Sequence, residues 1–378
     1  GERAADPCGG SAGRARGARQ RRLMSTLAQR VSRWQRLHGR HDLPWQGSRD
    51  PYRVWLSEVM LQQTQVATGR DYYLRFVQRY PSVHALAAAP LDDVLALWSG
   101  LGYYSRARNL HRCAQQVVQQ HGGVFPRGSD ALARLPGIGR STAAAIAAFC
   151  WGERVAILDG NVKRVLTRAL GFGADLALAA NERALWQLAQ SLLPARGIER
   201  YTQGLMDLGA TVCTVRQPQC GRCPLAESCV ARREGNVRAY PHKTRRTRRG
   251  TQQHALLWLQ HGNRVWLVRR PAQGVWAGLW SLPQFDSAEA LQRHLQGWPG
   301  SGEALATIEH ALTHFDWTLQ PLHWPLPAQL GARRVEALAA SLPSGRWVEL
   351  DAALQLGLSA PVRKLLAGYA ATTPLARR

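Results

Sequence analysis

Acidic residues are scarce in this 378-residue chain. Its 25 Asp and Glu face 49 Lys and Arg, a formal net charge of +24. Such an excess points to a polyanionic partner, and nucleic acid is the commonest one. Long apolar runs are also missing. None approaches the roughly 20 residues of a membrane span, so no membrane partner is expected. No secretory signal is evident, so the cell interior is the expected compartment. Cysteine is sparse, with seven in the whole chain, and no internal repeat is present. The 45% hydrophobic content is enough to fill two or three domain cores.

The charge is uneven. Residues beyond 250 are nearly neutral, whereas 231–250 hold eight Lys and Arg against one Glu. Residues 1–23 are rich in Gly, Ala and Arg without periodicity and read as a disordered basic extension. Met24 then opens an amphipathic pattern. From 24 to 230 apolar residues recur at three and four spacing, which predicts an all-α domain. The few apolar groups of 231–250 predict a basic linker. After 251 the period shortens. Strands are expected at 254–260, 264–268, 276–283, 308–315 and 317–323, with helices at 287–295 and 361–369. The fold class is thus multi-domain, all-α followed by α+β.

Four cysteines cluster as C-x6-C-x2-C-x5-C: Cys213, Cys220, Cys223 and Cys229. Inside a cell this argues for a metal site rather than disulfides. Four thiolates suit zinc or a 4Fe–4S cluster, and ligand count does not separate them. Arg216 and Arg222 lie in the same loop, available to meet phosphate. The spacing resembles that of the endonuclease III superfamily of DNA glycosylases, which implies one 4Fe–4S cluster of structural role.

Leu135-Pro136-Gly137-Ile138-Gly139-Arg140-Ser141 joins two helical stretches. Gly137 and Gly139 let the backbone approach a ligand closely. The helix that follows presents free N–H groups to a phosphate, whatever the base sequence. A tight helix–helix turn is the plainer reading. The segment resembles the helix–hairpin–helix of the same superfamily, which places a catalytic Asp about twenty residues on. Asp159 stands there, in Ile157-Leu158-Asp159-Gly160-Asn161.

Cleaving an N-glycosidic bond needs an acid for the leaving base and an anion for the sugar cation. Asp159 is the candidate anion, although Asp before Gly also reads as a helix N-cap. Glu58 is the candidate acid. Val54 and Leu61 flank it on one helical face, and desolvation there raises a carboxyl pKa. A surface Glu is the ordinary alternative. The string LPW…PY-x-VWLSEVMLQQTQV, with WSGLGYYSRARNL at 98–110, closely resembles adenine DNA glycosylases of the MutY type. The resemblance runs from Met24 almost to the end. It implies that Glu58 protonates adenine, that Gln63, beside Thr64, wedges into the duplex, and that Tyr103 probes the base stack. It further implies that Asn161 orients Asp159 or water. Relatives that nick the strand through a Schiff base carry Lys where Ser141 stands, and Ser forms no imine.

The same resemblance divides the helical part into a six-helix region, about 43–152, and a cluster region, 24–42 plus 153–230. It makes 251–378 a Nudix-like lesion-recognition domain. No acidic Nudix box follows Trp280, so this domain is expected to be catalytically silent. The family's Phe-Ser-His loop is matched by Leu312-Thr313-His314. The implied partner is duplex DNA with adenine opposite 8-oxoguanine or guanine, bound by a cytoplasmic, nucleoid-associated monomer. Two rivals are an endonuclease III-like glycosylase–lyase for damaged pyrimidines, opposed by Ser141, and a non-catalytic helix–hairpin–helix protein, opposed by Glu58 with Asp159.

Overall fold

The computed structural model describes residues 27–244, 250–312 and 315–372. In chain order the helices are α1 (27–38), α2 (Pro51–Leu61), α3 (Val66–Arg79), α4 (Val83–Ala88), α5 (Leu91–Leu97), α6 (Ser105–His121), α7 (Ser129–Leu132), α8 (Arg140–Trp151), α9 (Gly160–Leu170), α10 (Ala179–Ser191), α11 (Ile198–Thr211) and α12 (Val230–Arg233). Strands β1 (Gly250–His261), β2 (Arg264–Arg269), β3 (Trp280–Ser281) and β4 (Gln284–Phe285) follow. Then come α13 (Ala288–His294), β5 (Glu303–Ala304), β6 (Ile308–Ala311), β7 (Phe315–Pro325), α14 (Ala332–Ala340), β8 (Gly345–Glu349), α15 (Leu350–Ala353) and α16 (Ala360–Thr372). The chain forms two compact units, one of residues 1–74 and 116–246, the other of 75–115 and 247–378.

The first unit is helical. Asp50 caps α2 by accepting from the Tyr52 amide at 2.9 Å, with Pro51 at the first helical position. α8 reads Arg-Ser-Thr-Ala-Ala-Ala-Ile-Ala-Ala-Phe-Cys-Trp, and its buried alanines let α2 and α11 approach closely. Gly152, at φ 69°, ends it in a left-handed cap. α9 and α11 bury Val162, Val165, Leu205 and Leu208 in a core that α1 completes with Val31.

The second unit is built on an eight-stranded mixed sheet, β3-β2-β1-β7-β5, with β4 on β1, β6 on β7 and β8 on β2. β1 runs parallel to β7 from Gly250 opposite Phe315 to Gln260 opposite Pro325. Successive residues of β1 feed opposite faces. Ala255, Leu257 and Leu259 meet one core, with α13 and α14. Leu256 and Trp258 meet the other, with α15 and α16.

Three expectations change in detail. Of residues 276–283 only Trp280–Ser281, β3, form a strand; 276–279 are a loop, in which the Leu279 carbonyl accepts from the Arg270 amide at 2.9 Å and Trp276 takes φ 55°. Their apolar alternation comes from a doubled-back segment burying side chains, which a pattern does not distinguish from a strand. The 308–315 stretch ends as a strand at Ala311. Residues 231–244, read as linker, are folded against the helical unit. Arg168 Nε donates to the Tyr240 carbonyl at 3.2 Å, the Leu176 amide to that of His242 at 3.0 Å, and the Thr244 hydroxyl to Asp175. Polar backbone contacts hold this segment, so hydropathy did not reveal it.

Candidate active site

Glu58 sits on α2 and opens onto a cavity of about 490 Å³ in the helical unit. Glu58 is half-buried there, beside the buried Val54 and Ser57. Burial, and secondarily the charge of Asp159, push its pKa up from 4.5 to about 8. Glu58 is therefore a protonated acid at neutral pH, the form that donates.

Asp159 is the N-cap of α9, where its Oδ1 accepts from the Val162 amide at 2.7 Å. Burial raises its pKa as well. The Val162 and Asn161 amides, Arg164 and Lys163 oppose that rise. Burial is the largest of these influences and the net shift is upward, with the amides and cations limiting it. Ser141 holds the approach to Asp159, since its Oγ accepts from the Leu158 amide at 3.0 Å.

Asn161 is fixed from behind. Arg164 donates to Asn161 Oδ1 at 2.8 Å, to the Gly209 carbonyl at 2.7 Å and to the Cys213 carbonyl at 2.7 Å. A Cβ on Gly209 would lie 2.6 Å from that of Asn161. Gly209→Ala is therefore expected to force α11 from the start of α9, costing about 1–3 kcal/mol of stability. The activity of the site should fall with it. Thermal melts and single-turnover rates check this, and an unchanged pair of values would contradict it.

Sequence reasoning missed the other cavity wall. Asp207 is fully buried and binds Arg40 three times: from the backbone amide at 3.0 Å, from Nε at 2.7 Å and from Nη2 at 2.7 Å. Gln203 adds a fourth donor at 2.9 Å. Arg40, Gln203 and Trp45 all line the cavity with Glu58. The available signal was an Asp on an otherwise apolar helical face just before the cysteines, because a buried carboxylate needs partners.

Cys213, Cys220, Cys223 and Cys229 ring a small cavity of about 20 Å³. All four are free thiols, and the Arg168 guanidinium lies 3.5 Å from Cys213 Sγ. Burial pushes the Cys223 thiol up to about 11, and the three neighbouring sulfurs add to the rise. Among the described residues, no three His, Cys, Asp or Glu side chains form a group placed to hold a single metal ion. Four converging sulfurs with a cation beside them fit an iron–sulfur group, whose ligands are thiolates.

Residues 56–190 match the HhH-GPD superfamily of base excision DNA repair proteins, and 213–229 the iron–sulfur binding domain of endonuclease III. Residues 254–368 match the NUDIX domain. The adenine DNA glycosylase of Buchnera aphidicola subsp. Schizaphis graminum is 33% identical over 90% of this chain and 97% of its own. The human one is 34% identical over 89% of this chain and 72% of its own. The chain belongs to the adenine DNA glycosylase family. A thermostable thymine-DNA glycosylase structure is similar over 58% of this chain and 99% of its own, at a TM-score of 0.51 and 27% identity. The expected architecture, an all-α glycosylase core followed by a Nudix-like domain, is borne out, and the family carries an iron–sulfur binding domain.

In this adenine DNA glycosylase family member the hairpin joins α7 to α8. Leu135 is buried, Gly137 takes φ 77°, and Gly139 caps α8 with open space around it. Arg140 is exposed and rests 4.0 Å above the Trp186 ring. Gln63 is exposed at φ 57°, just past α2, with Thr64 bonded to the Gln62 carbonyl. Arg216 is exposed in the cysteine loop. In the second unit Tyr103 is 50% exposed at φ 48°. Leu312 packs against the core around Trp258, and its amide bonds the Phe315 carbonyl. Thr313 and His314 lie outside the described residues. No described helix is long and apolar enough to cross a membrane.

Proposed function

We propose that the chain hydrolyses the N-glycosidic bond of adenine opposite 8-oxoguanine or guanine in duplex DNA. One observation carries the reading: at a cavity wall stands Glu58, its pKa raised to about 8 by burial and by the charge of Asp159, and Asp159 itself is held at the N-terminus of α9 by the Val162 amide. The adenine leaves the stack, since its reacting bond is out of reach inside the duplex, and enters the cavity lined by Arg40, Trp45 and Gln203. Glu58 gives its proton to a ring nitrogen as the bond to C1′ breaks. The Asp159 carboxylate stabilises the sugar cation. Water adds to C1′, guided by Asn161, and its released proton restores Glu58.

The four cysteines hold a 4Fe–4S cluster, which supplies a cross-link of four chain positions rather than a reacting atom. Gly137, Gly139 and Arg140 hold phosphate, while Gln63, Thr64 and Tyr103 enter the stack. The loop Leu312-Thr313-His314 reads the base opposite the adenine. Ser141 occupies the place of a nicking enzyme's lysine, so no covalent imine forms.

Duplexes carrying adenine opposite 8-oxoguanine, guanine or thymine test the reading. Excision is expected opposite the first two, with strand breaks only after hot alkali. Breaks without alkali, or damaged pyrimidine as the sole substrate, would sink it. Thr313→Ala should weaken the 8-oxoguanine preference by about 1 kcal/mol, one neutral hydrogen bond.

A further inference from the structure

We propose that the sheet domain holds the loop bearing Tyr103 in its DNA-probing shape, with Arg363 and Tyr104 as the positioning residues. The inference rests on the reading of Tyr103 as the residue that enters the base stack. It concerns the second unit alone, in which 75–115 fold together with the sheet.

The loop between α5 and α6 is an improbable conformation by itself. Gly100, Gly102 and Tyr103 take φ values of 98°, 74° and 48°. A left-handed tyrosine persists only where its surroundings hold it there. Some of that support is local. Trp98 Nε1 donates to the Gly102 carbonyl at 3.0 Å, and Arg106 Nη2 donates to the carbonyls of Leu101 and Gly102 at 3.3 and 3.2 Å.

The remainder comes from the sheet domain. The Tyr104 hydroxyl is buried, accepts from the Gly100 amide at 3.4 Å and donates to the Leu358 carbonyl at 3.3 Å. Arg363, on α16, divides its guanidinium between the two parts of the unit. Nε donates to Ser99 Oγ at 2.8 Å, while Nη1 and Nη2 donate to the Leu354 and Leu356 carbonyls, each at 2.6 Å. Beside it, a Cβ on Gly357 would lie 3.0 Å from that of Leu95, so the two segments pack closely and an added side chain would press on Leu95. Arg108, on the helix that follows the loop, donates to the Ala277 carbonyl at 2.7 Å. The inner side of the loop is thus pinned by carbonyls of the sheet domain, and Tyr103 is left outward. A domain assigned to reading the lesion thereby also controls the stack-probing tyrosine, and does so whatever base stands opposite the adenine.

Full-length Arg363→Ala, Arg363→Lys and Tyr104→Phe proteins test this on duplexes with 2-aminopurine beside the mispair. Its fluorescence rises when the stack is opened. At saturating protein, and below each variant's melting temperature, Arg363→Ala should lower the rate of that rise and the excision rate about tenfold, the scale of one charged hydrogen bond. Adenine opposite 8-oxoguanine and opposite guanine should suffer equally, which separates the placement of Tyr103 from lesion reading. Arg363→Lys should recover part of both rates. Tyr104→Phe, which keeps the ring packing, should reproduce the loss more mildly. Wild-type fluorescence and excision in both Arg363→Ala and Tyr104→Phe would overturn the inference alone. A parent protein that excises adenine but gives no fluorescence rise would overturn the reading of Tyr103 and the inference with it.

Discussion

Glu58→Gln and Asp159→Asn are each expected to slow single-turnover adenine excision by about a hundredfold or more while leaving DNA binding in place. Glutamine keeps the shape of Glu58 and has no proton to give. Asparagine caps a helix as well as aspartate does, so the Val162 contact survives and only the charge is lost. A near-normal rate in either variant would remove that residue from the mechanism. In the parent, excision should hold to about pH 8 and fall above it, as Glu58 ionises. Stability follows the same group. The folded chain keeps the Glu58 proton to about pH 8, whereas the unfolded chain releases it near 4.5. Folding therefore takes up a proton between those values, and the associated stability is lost as the pH rises through 8. Glu58→Gln has no such dependence, so it should melt above the parent at pH 8, with the gap closing towards pH 5.

The second large effect concerns the cysteines. Protein purified anaerobically should be brown and carry about four irons per chain. Cys223→Ala should lose the iron, melt at a lower temperature and lose most of its excision activity. The coupling is physical: the Cys213 carbonyl and Asn161 Oδ1 share the Arg164 guanidinium, and Cys213 lies at the end of the helix that Gly209 packs on Asn161. Loosening the cysteine loop loosens the support of Asn161. Stoichiometric zinc without iron would defeat the cluster assignment. Full excision by an iron-free Cys223→Ala chain would defeat the coupling.

Much of the helical part was legible because its signals are local. Asp159-Gly160 starts a helix through a hydrogen bond within three residues. The cysteine spacing describes one loop, and the period-two pattern of 254–260 describes one strand. Arg40 with Asp207 was not legible, because the partners stand 167 positions apart and nothing in either neighbourhood names the other. Arg363 with Ser99 is hidden in the same way, across 264 positions.

The sequence alone determined the cluster of four cysteines, the glycine-bearing turn at 135–141 and the change from helix to sheet near 250. These depend on residue type, spacing and period, which the chain carries locally. Only the tertiary structure decided that residues 75–115 fold with the sheet, and that 231–244 lie against helices instead of hanging free. It also decided that the acid faces a cavity whose other wall is fixed by a buried aspartate. Those outcomes depend on which distant donors meet which acceptors once water is excluded. Burial makes such pairings compulsory, and no local pattern specifies the partner.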